Sequence, residues 1–192
     1  MSEGGGILSD DLSRIIIDDP KSRKGLHFYA DLRKKYHVAP RKEESASATM
    51  AQMFLQEKIA MHLSGRWLVP KYREEATFDW DVVNFPKGDA GSIMPLDASG
   101  WAVSKTSKHK EAAKLLVNYL SSKESSQKFT KSGLIVPARR DVAESKFFLD
   151  NQKPSNKKLF VNIIETSKPT PVSLEYKEIT DNLKGRFEKL FN

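Results

Sequence analysis

The chain has 192 residues, 39% of them hydrophobic and 30% charged. That suffices for one ordinary domain or two small lobes around a packed core, and it is too apolar for a disordered chain. Cysteine is absent, which excludes disulfides, thiolate metal sites and a cysteine nucleophile.

The formal net charge is +7, with an isoelectric point near 9.4. Such a balance points to anionic partners only when it is clustered. Here Lys and Arg are interspersed with Glu and Asp along most of the chain, the pattern of a solvated surface. No window approaches the ~20 apolar residues needed to span a membrane. Met1–Gly6 shows no basic segment leading into an apolar run, so no signal peptide is visible.

Gly4-Gly5-Gly6 followed by Ile7 and Leu8 predicts a loop entering a short extended segment. Asp18-Asp19-Pro20 predicts a helix start, with Asp as N-cap and Pro where its missing N–H costs nothing. Leu26, Tyr29, Leu32 and Tyr36 recur at roughly helical spacing, and Pro40 is expected to end that helix. A second helix is expected over Ala46–Glu57. Ile59-Ala60-Met61-His62-Leu63 reads as a buried strand. Ser64-Gly65-Arg66-Trp67 reads as a turn into a short helix that accepts Pro70 in its first turn. Asp79 to Phe85 and Gly100 to Ser104 read as two further strands. Ser107 is expected to cap a helix carrying Ala112, Leu115, Leu116, Tyr119 and Leu120. Another helix, Ser121–Lys131, should stop at Gly133, with Leu134–Pro137 extended. Helices near Lys157–Ile164 and Leu174–Phe191 close the chain. This alternation argues for an α/β fold.

The order of these pieces resembles the family 1 extracellular solute-binding proteins of ABC importers. The resemblance rests on Lys58-Ile59-Ala60-Met61, Gly65-Arg66-Trp67, Asp79-Trp80-Asp81-Val82-Val83 and Pro86-Lys87-Gly88. It continues through Gly100-Trp101-Ala102-Val103-Ser104-Lys105, Ser107-Lys108-His109-Lys110-Glu111-Ala112-Ala113, and Gly133 with Pro137 and Arg139. No single piece is specific; their common order and spacing are. Members of the family have two α/β lobes and about twice this length, so the chain looks like the later half of one.

The implied fold is a truncated second lobe of the type II periplasmic-binding-protein kind, helix-rich with a small mixed sheet. Residues 1–98 and 147–192 would belong to that lobe. Residues 99–146 would hold the crossover strand and helices that normally pack on the first lobe. The Ala112–Leu120 helix would then carry an apolar face without its natural partner, a surface that favours self-association. The implied function is binding of a solute, expected to be a sugar or oligosaccharide, for delivery to the membrane subunits of an ABC transporter. The implied location is extracellular or periplasmic, with a lipoprotein tether.

A sugar presents apolar C–H faces rimmed by hydroxyls, so its site needs an aromatic plate and polar groups of fixed geometry. Trp67 matches the family tryptophan that stacks on a sugar ring, with Gly65 and Arg66 before it. Arg66 is expected to donate a fork of hydrogen bonds to the ligand. Gly100 and Trp101 match a cleft-lining position, and Asp97 and Ser99 in the preceding loop are candidate hydroxyl partners. Arg139 matches a loop that approaches the ligand. Trp80, in an alternating stretch, is expected in the core.

The motifs of catalysis do not appear. The four histidines are scattered and form no metal-binding spacing. There is no phosphate-binding glycine loop and no nucleophile elbow. Paired acids such as Asp10-Asp11 and Glu74-Glu75 sit at helix starts or on exposed runs. The chain therefore reads as a binding protein rather than an enzyme, with no cofactor and no metal expected. A basic nucleic-acid-binding domain is the alternative; a glycan hydrolase would need two carboxylates ~5–9.5 Å apart across a cleft.

Overall fold

A computed structural model describes residues 1–191. The chain divides into two compact units. The first holds Met1–Met53, Asn84–Asp97 and the chain from Thr166 onward; the second holds Phe54–Val83 and Ala98–Glu165. These boundaries differ from those expected at 98 and 147. Residues 54–83 and 147–165 share a unit with the helices of 98–146 rather than with the N-terminal stretch.

In the first unit, Leu8 and Ile15 form an antiparallel bridge. The buried Ser22 hydroxyl donates to the Gly6 carbonyl and accepts the Gly6 N–H, both at 3.0 Å. Helix α1, Pro20–Lys34, starts as expected, with extended Asp19 as N-cap and Pro at the opening position. It stops well before Pro40. The amides of Lys35 and Tyr36 share the Asp31 carbonyl, and those of Val38 and Ala39 fold back onto Leu32. This terminus is closed by backbone, with Arg33 and Lys34 favourably placed at the negative end of the helix.

Helix α2, Lys42–Ser45, is one turn long. Helix α3, Met50–Leu55, is shorter than the expected Ala46–Glu57 because a reciprocal cap fixes its start. Thr49 N–H donates to Gln52 Oε1 at 2.8 Å, and Gln52 N–H donates to Thr49 Oγ1 at 3.2 Å. Helix α9, Tyr176–Phe191, packs against α1. There Tyr29 meets Phe191 edge-to-face at 5.2 Å, and Arg33 Nη1 donates to the Phe191 carbonyl at 3.0 Å. Strands β1, Pro95–Leu96, and β2, Lys168–Pro169, pair in parallel, Pro95 opposite Lys168 and Leu96 opposite Pro169.

The second unit contains α4, Val69–Glu75, which carries Pro70 in its first turn as expected. Helix α5, Lys110–Leu120, follows. Its N-cap is His109; Ser107 acts one step earlier, accepting the His109 N–H at 3.2 Å. Helix α6, Lys123–Lys131, is capped by Ser122, whose hydroxyl accepts the Ser125 N–H. Gly133 then turns the chain at φ +79°, a left-handed conformation that L side chains avoid. Helices α7, Arg140–Ala143, and α8, Leu159–Asn162, are single turns. The core of this unit is Val69, Tyr72, Trp80, Val142, Ala143 and Phe148. Trp80 is buried there, as the alternating pattern predicts.

The strands expected at Ile59–Leu63, Asp79–Phe85 and Gly100–Ser104 do not form. A strand exists only as part of a ladder, and among the described residues no segment pairs with these three. Their apolar side chains are correspondingly open, with Met61, Leu63, Val83 and Trp101 all exposed. The result is a helix-rich α/β architecture whose sheet is two short parallel strands rather than a mixed sheet. No helix of the described residues is long and apolar enough to cross a membrane.

Candidate ligand-binding site

The Gly65–Trp67 segment is a 3-10 turn over Arg66–Leu68 with extended Gly65 as its cap. At three residues per turn, successive side chains leave such a helix about 120° apart. One can therefore enter the core while the next faces outward. Arg66 is 3% exposed and Trp67 is 63% exposed. The indole folds back over the Gly65 backbone. A Cβ placed on Gly65 would fall 1.9 Å from Trp67 Cζ3 and 2.3 Å from Cη2. Glycine at 65 is thus what lets the ring lie there, and the Gly-x-Trp spacing has a packing cause.

Arg66 corrects the sequence reading. It was expected to reach the ligand, but its side chain is sequestered. Its Nε donates to the Ile135 carbonyl at 2.9 Å. Its guanidinium carbon lies 4.2 Å from the Phe148 ring centroid and 5.5 Å from that of Phe160. Both Nη atoms are buried and find no acceptor in the protein. Burial lowers its pKa to about 10; the charge of Arg73 adds to the shift and Asp150 opposes it. At neutral pH it remains a cation, stabilised by ring faces and one carbonyl.

The adjacent charges converge on Asp150. Arg73 donates from Nε to the Lys153 carbonyl at 2.5 Å and from Nη2 to Asp150 Oδ1 at 3.3 Å. Buried Lys157 donates to Asp150 Oδ1 at 2.6 Å and to the backbone carbonyls of Asp150 and Gln152. Burial pushes the Asp150 carboxyl up, but the Lys157 hydrogen bond, the Gln152 N–H and the two cations outweigh it and hold the acid below its usual range.

Of the remaining predicted residues, Ser99, Gly100 and Trp101 lie exposed in the second unit, and Asp97 lies exposed in the first, directly after β1. Trp101 is 56% exposed and rests against Phe129, with ring centroids 6.2 Å apart. Arg139 is the N-cap of α7 and exposed; its Nε and Nη2 engage Asp141 at 3.2 and 3.4 Å. The structure does not pair the two open indoles with each other: the ring beside Trp101 is Phe129, and the Trp67 ring sits on Gly65.

Two surface hollows occur elsewhere, one along Ser107–Ala112 and one among Arg33, His37, Ala39, Arg41 and Glu44. Among the described residues, no group of His, Asp and Glu is arranged to hold a metal ion.

Sequence reasoning missed the supports beneath the open rings. Phe148 and Phe160 under Arg66 come from distant single-turn helices or their flanks, where no periodicity flags them. It also missed the ring cluster of Phe54, His62, Tyr72, Phe78 and Trp80, whose members lie 5.2–5.8 Å apart. The exposed face of α5 was legible: Leu115, Leu116 and Tyr119 are open, and the helix buries none of its residues.

The bacterial extracellular solute-binding protein family matches the chain over residues 1–155. A Brucella abortus protein assigned as a binding protein is 21% identical over 193 aligned positions, covering 100% of this chain and 42% of the relative. Among solved structures, an ABC substrate-binding protein from Listeria monocytogenes in complex with cycloalternan is 23% identical. It superposes with a TM-score of 0.85 over 100% of this chain and 49% of its own. The GacH receptor of Streptomyces glaucescens, solved unliganded and with acarbose, gives a TM-score of 0.82 at 22% identity, covering 99% of this chain and 49% of that one. The maltose–maltodextrin-binding protein of Alicyclobacillus acidocaldarius gives 0.79 at 23% identity, covering 99% and 52%. The chain thus spans about half the length of the proteins it resembles. All are binding proteins rather than enzymes, and the nucleic-acid alternative is not favoured.

Proposed function

Because this chain belongs to the bacterial extracellular solute-binding protein family and has the fold of about half of a type II binding protein, we propose that it supplies one wall of a sugar clamp serving an ABC importer. The observation that carries this reading is the Trp67 indole, 63% exposed and laid on a glycine backbone. A flat ring with one face supported and the other open suits the apolar face of a pyranose. Within the same unit, Trp101, also open, and the hydroxyl of Ser99 supply further contacts, with Gly100 giving the chain close approach. Arg139 reaches the rim when released from Asp141.

Residues 99–146, with the open face of α5, are the portion that packs against the other half of the fold seen in the relatives. Sugar held between the two halves draws them together, and the closed form is what the transporter's membrane subunits recognise. In its working form the receptor is held at the outer membrane surface of the cell by a lipid tether. The ligands of the structural neighbours, cycloalternan, acarbose and maltose, favour an oligosaccharide.

One wall alone buries only part of a ligand, so the chain by itself should bind maltooligosaccharides on the order of millimolar. Titration followed by ¹⁹F NMR of 5-fluorotryptophan-labelled protein should move the Trp67 resonance, and Trp67→Ala should weaken binding by about 1–3 kcal/mol, the loss of one good aromatic contact. A Trp67 resonance that ignores sugar would remove it from the site. Micromolar affinity of this chain alone would overturn the one-wall reading.

A further inference from the structure

We propose that Arg66 is the positioning residue of the Trp67 wall: its guanidinium, hydrogen-bonded to Ile135 and laid on Phe148, sets the rotation of the Gly65–Trp67 turn that sends the indole outward. This deepens the clamp reading and rests on Trp67 being a ligand contact.

The argument begins with the choice of residue. Arg66 lies where packing alone would favour an apolar side chain. It is 3% exposed, and both Nη atoms are buried without an acceptor. A buried cation with two Nη atoms lacking any acceptor carries a desolvation cost that one hydrogen bond and two ring faces only partly offset. Stability therefore does not account for arginine here. What arginine adds over methionine or leucine is direction. One N–H points at one carbonyl, Ile135 O at 2.9 Å, and one plane stacks on one ring, Phe148 at 4.2 Å.

Those partners come from chain segments far from the turn in sequence. Ile135 follows α6, and Phe148 follows α7. They fix both the position of the turn and its rotation about its own axis. In a 3-10 turn the neighbouring side chain is then committed to a direction about 120° away. Gly65 provides the complementary restraint from the other side, because the indole needs the space a Cβ would take. The planar stack and the single N–H bond are both lost when the guanidinium is replaced, so the plate should be released even where the core survives.

The test uses the 192-residue chain labelled with 5-fluorotryptophan. Its Trp67, Trp80 and Trp101 resonances are assigned by single Trp→Phe substitutions. Arg66→Met should shift and broaden the Trp67 resonance and reduce the maltooligosaccharide-induced shift at Trp67 at least roughly threefold. Trp80 in the core and Trp101 should stay in place, with thermal stability equal to wild type or higher.

An unchanged Trp67 resonance in Arg66→Met would overturn the proposal. If Arg66→Met also moves Trp80, the unit has loosened, and Arg66→Lys and Phe148→Leu decide. Each should displace Trp67 without Trp80; if neither does, Arg66 serves the core alone and the proposal fails. The clamp reading is judged separately by Trp67→Ala. If sugar response survives Trp67→Ala while Arg66→Met still moves the ring, the positioning stands and the ligand role of Trp67 falls.

Discussion

Asp150 offers the sharpest test of what holds the second unit together. Among the described residues it is the one carboxylate that meets both Arg73 and Lys157, whose side chains are 14% and 5% exposed, and its charge also acts on buried Arg66. Asp150→Asn keeps the shape and one acceptor oxygen but removes the countercharge. Lys157 would then depend on the two backbone carbonyls it already uses. Breaking a buried pair by removing one partner costs about 3–5 kcal/mol. The retained acceptor and carbonyls place this variant near the lower end, about 3 kcal/mol. With a urea slope of roughly 2 kcal/mol per molar, the midpoint should fall by about 1.5 M. Urea unfolding followed by the fluorescence of buried Trp80 reads this unit directly. Lys157→Met, which removes the buried cation and leaves Asp150 with Arg73, should lose clearly less. A loss under about 1 kcal/mol in Asp150→Asn, or equal losses in the two variants, would refute the view that the carboxylate neutralises an otherwise unpaired interior. The pH dependence has a definite sign. The folded-state pKa of Asp150 lies below its unfolded value, so its contribution is complete above the unfolded pKa and disappears as pH falls through the folded one.

Two further outcomes follow from the same structure. His62, in contact with the Tyr72 hydroxyl and ringed by Phe54 and Tyr72, has its pKa lowered by burial, with the Leu63 backbone opposing. Its share of stability should be intact above the unfolded value near 6.5 and decline as pH drops through the folded one; His62→Gln should flatten that decline in pH-dependent thermal melts, and an identical slope would discount it. The open α5 face should drive concentration-dependent association in sedimentation velocity, and Leu115→Glu with Leu116→Glu should leave a monomer at all concentrations; a wild-type chain that stays monomeric would show that the face is inert by itself.

Much of the local structure was already written in the sequence, because it depends on neighbours along the chain. Asp19-Pro20, Gly65, Pro70 and Gly133 mark starts and stops through backbone preference, and these positions fall where read, although the Asp19 side chain makes no capping hydrogen bond and the cap of α6 is Ser122. The apolar face of α5 and the burial of Trp80 follow from periodicity in the same way. The strand assignments at Ile59–Leu63, Asp79–Phe85 and Gly100–Ser104 failed for a reason no local pattern contains: a strand requires a partner segment to complete its hydrogen bonds. The candidate site divides along the same line. The exposure of Trp67 agrees with its place after a glycine in a turn, and Trp101 is exposed where the strand expected around it does not form. The fate of Arg66 was decided by Ile135, Phe148 and Phe160, residues distant in sequence that create an interior position for a side chain that looks solvent-seeking on its own. Local chemistry sets where the chain turns; only long-range packing sets which side of each turn meets water.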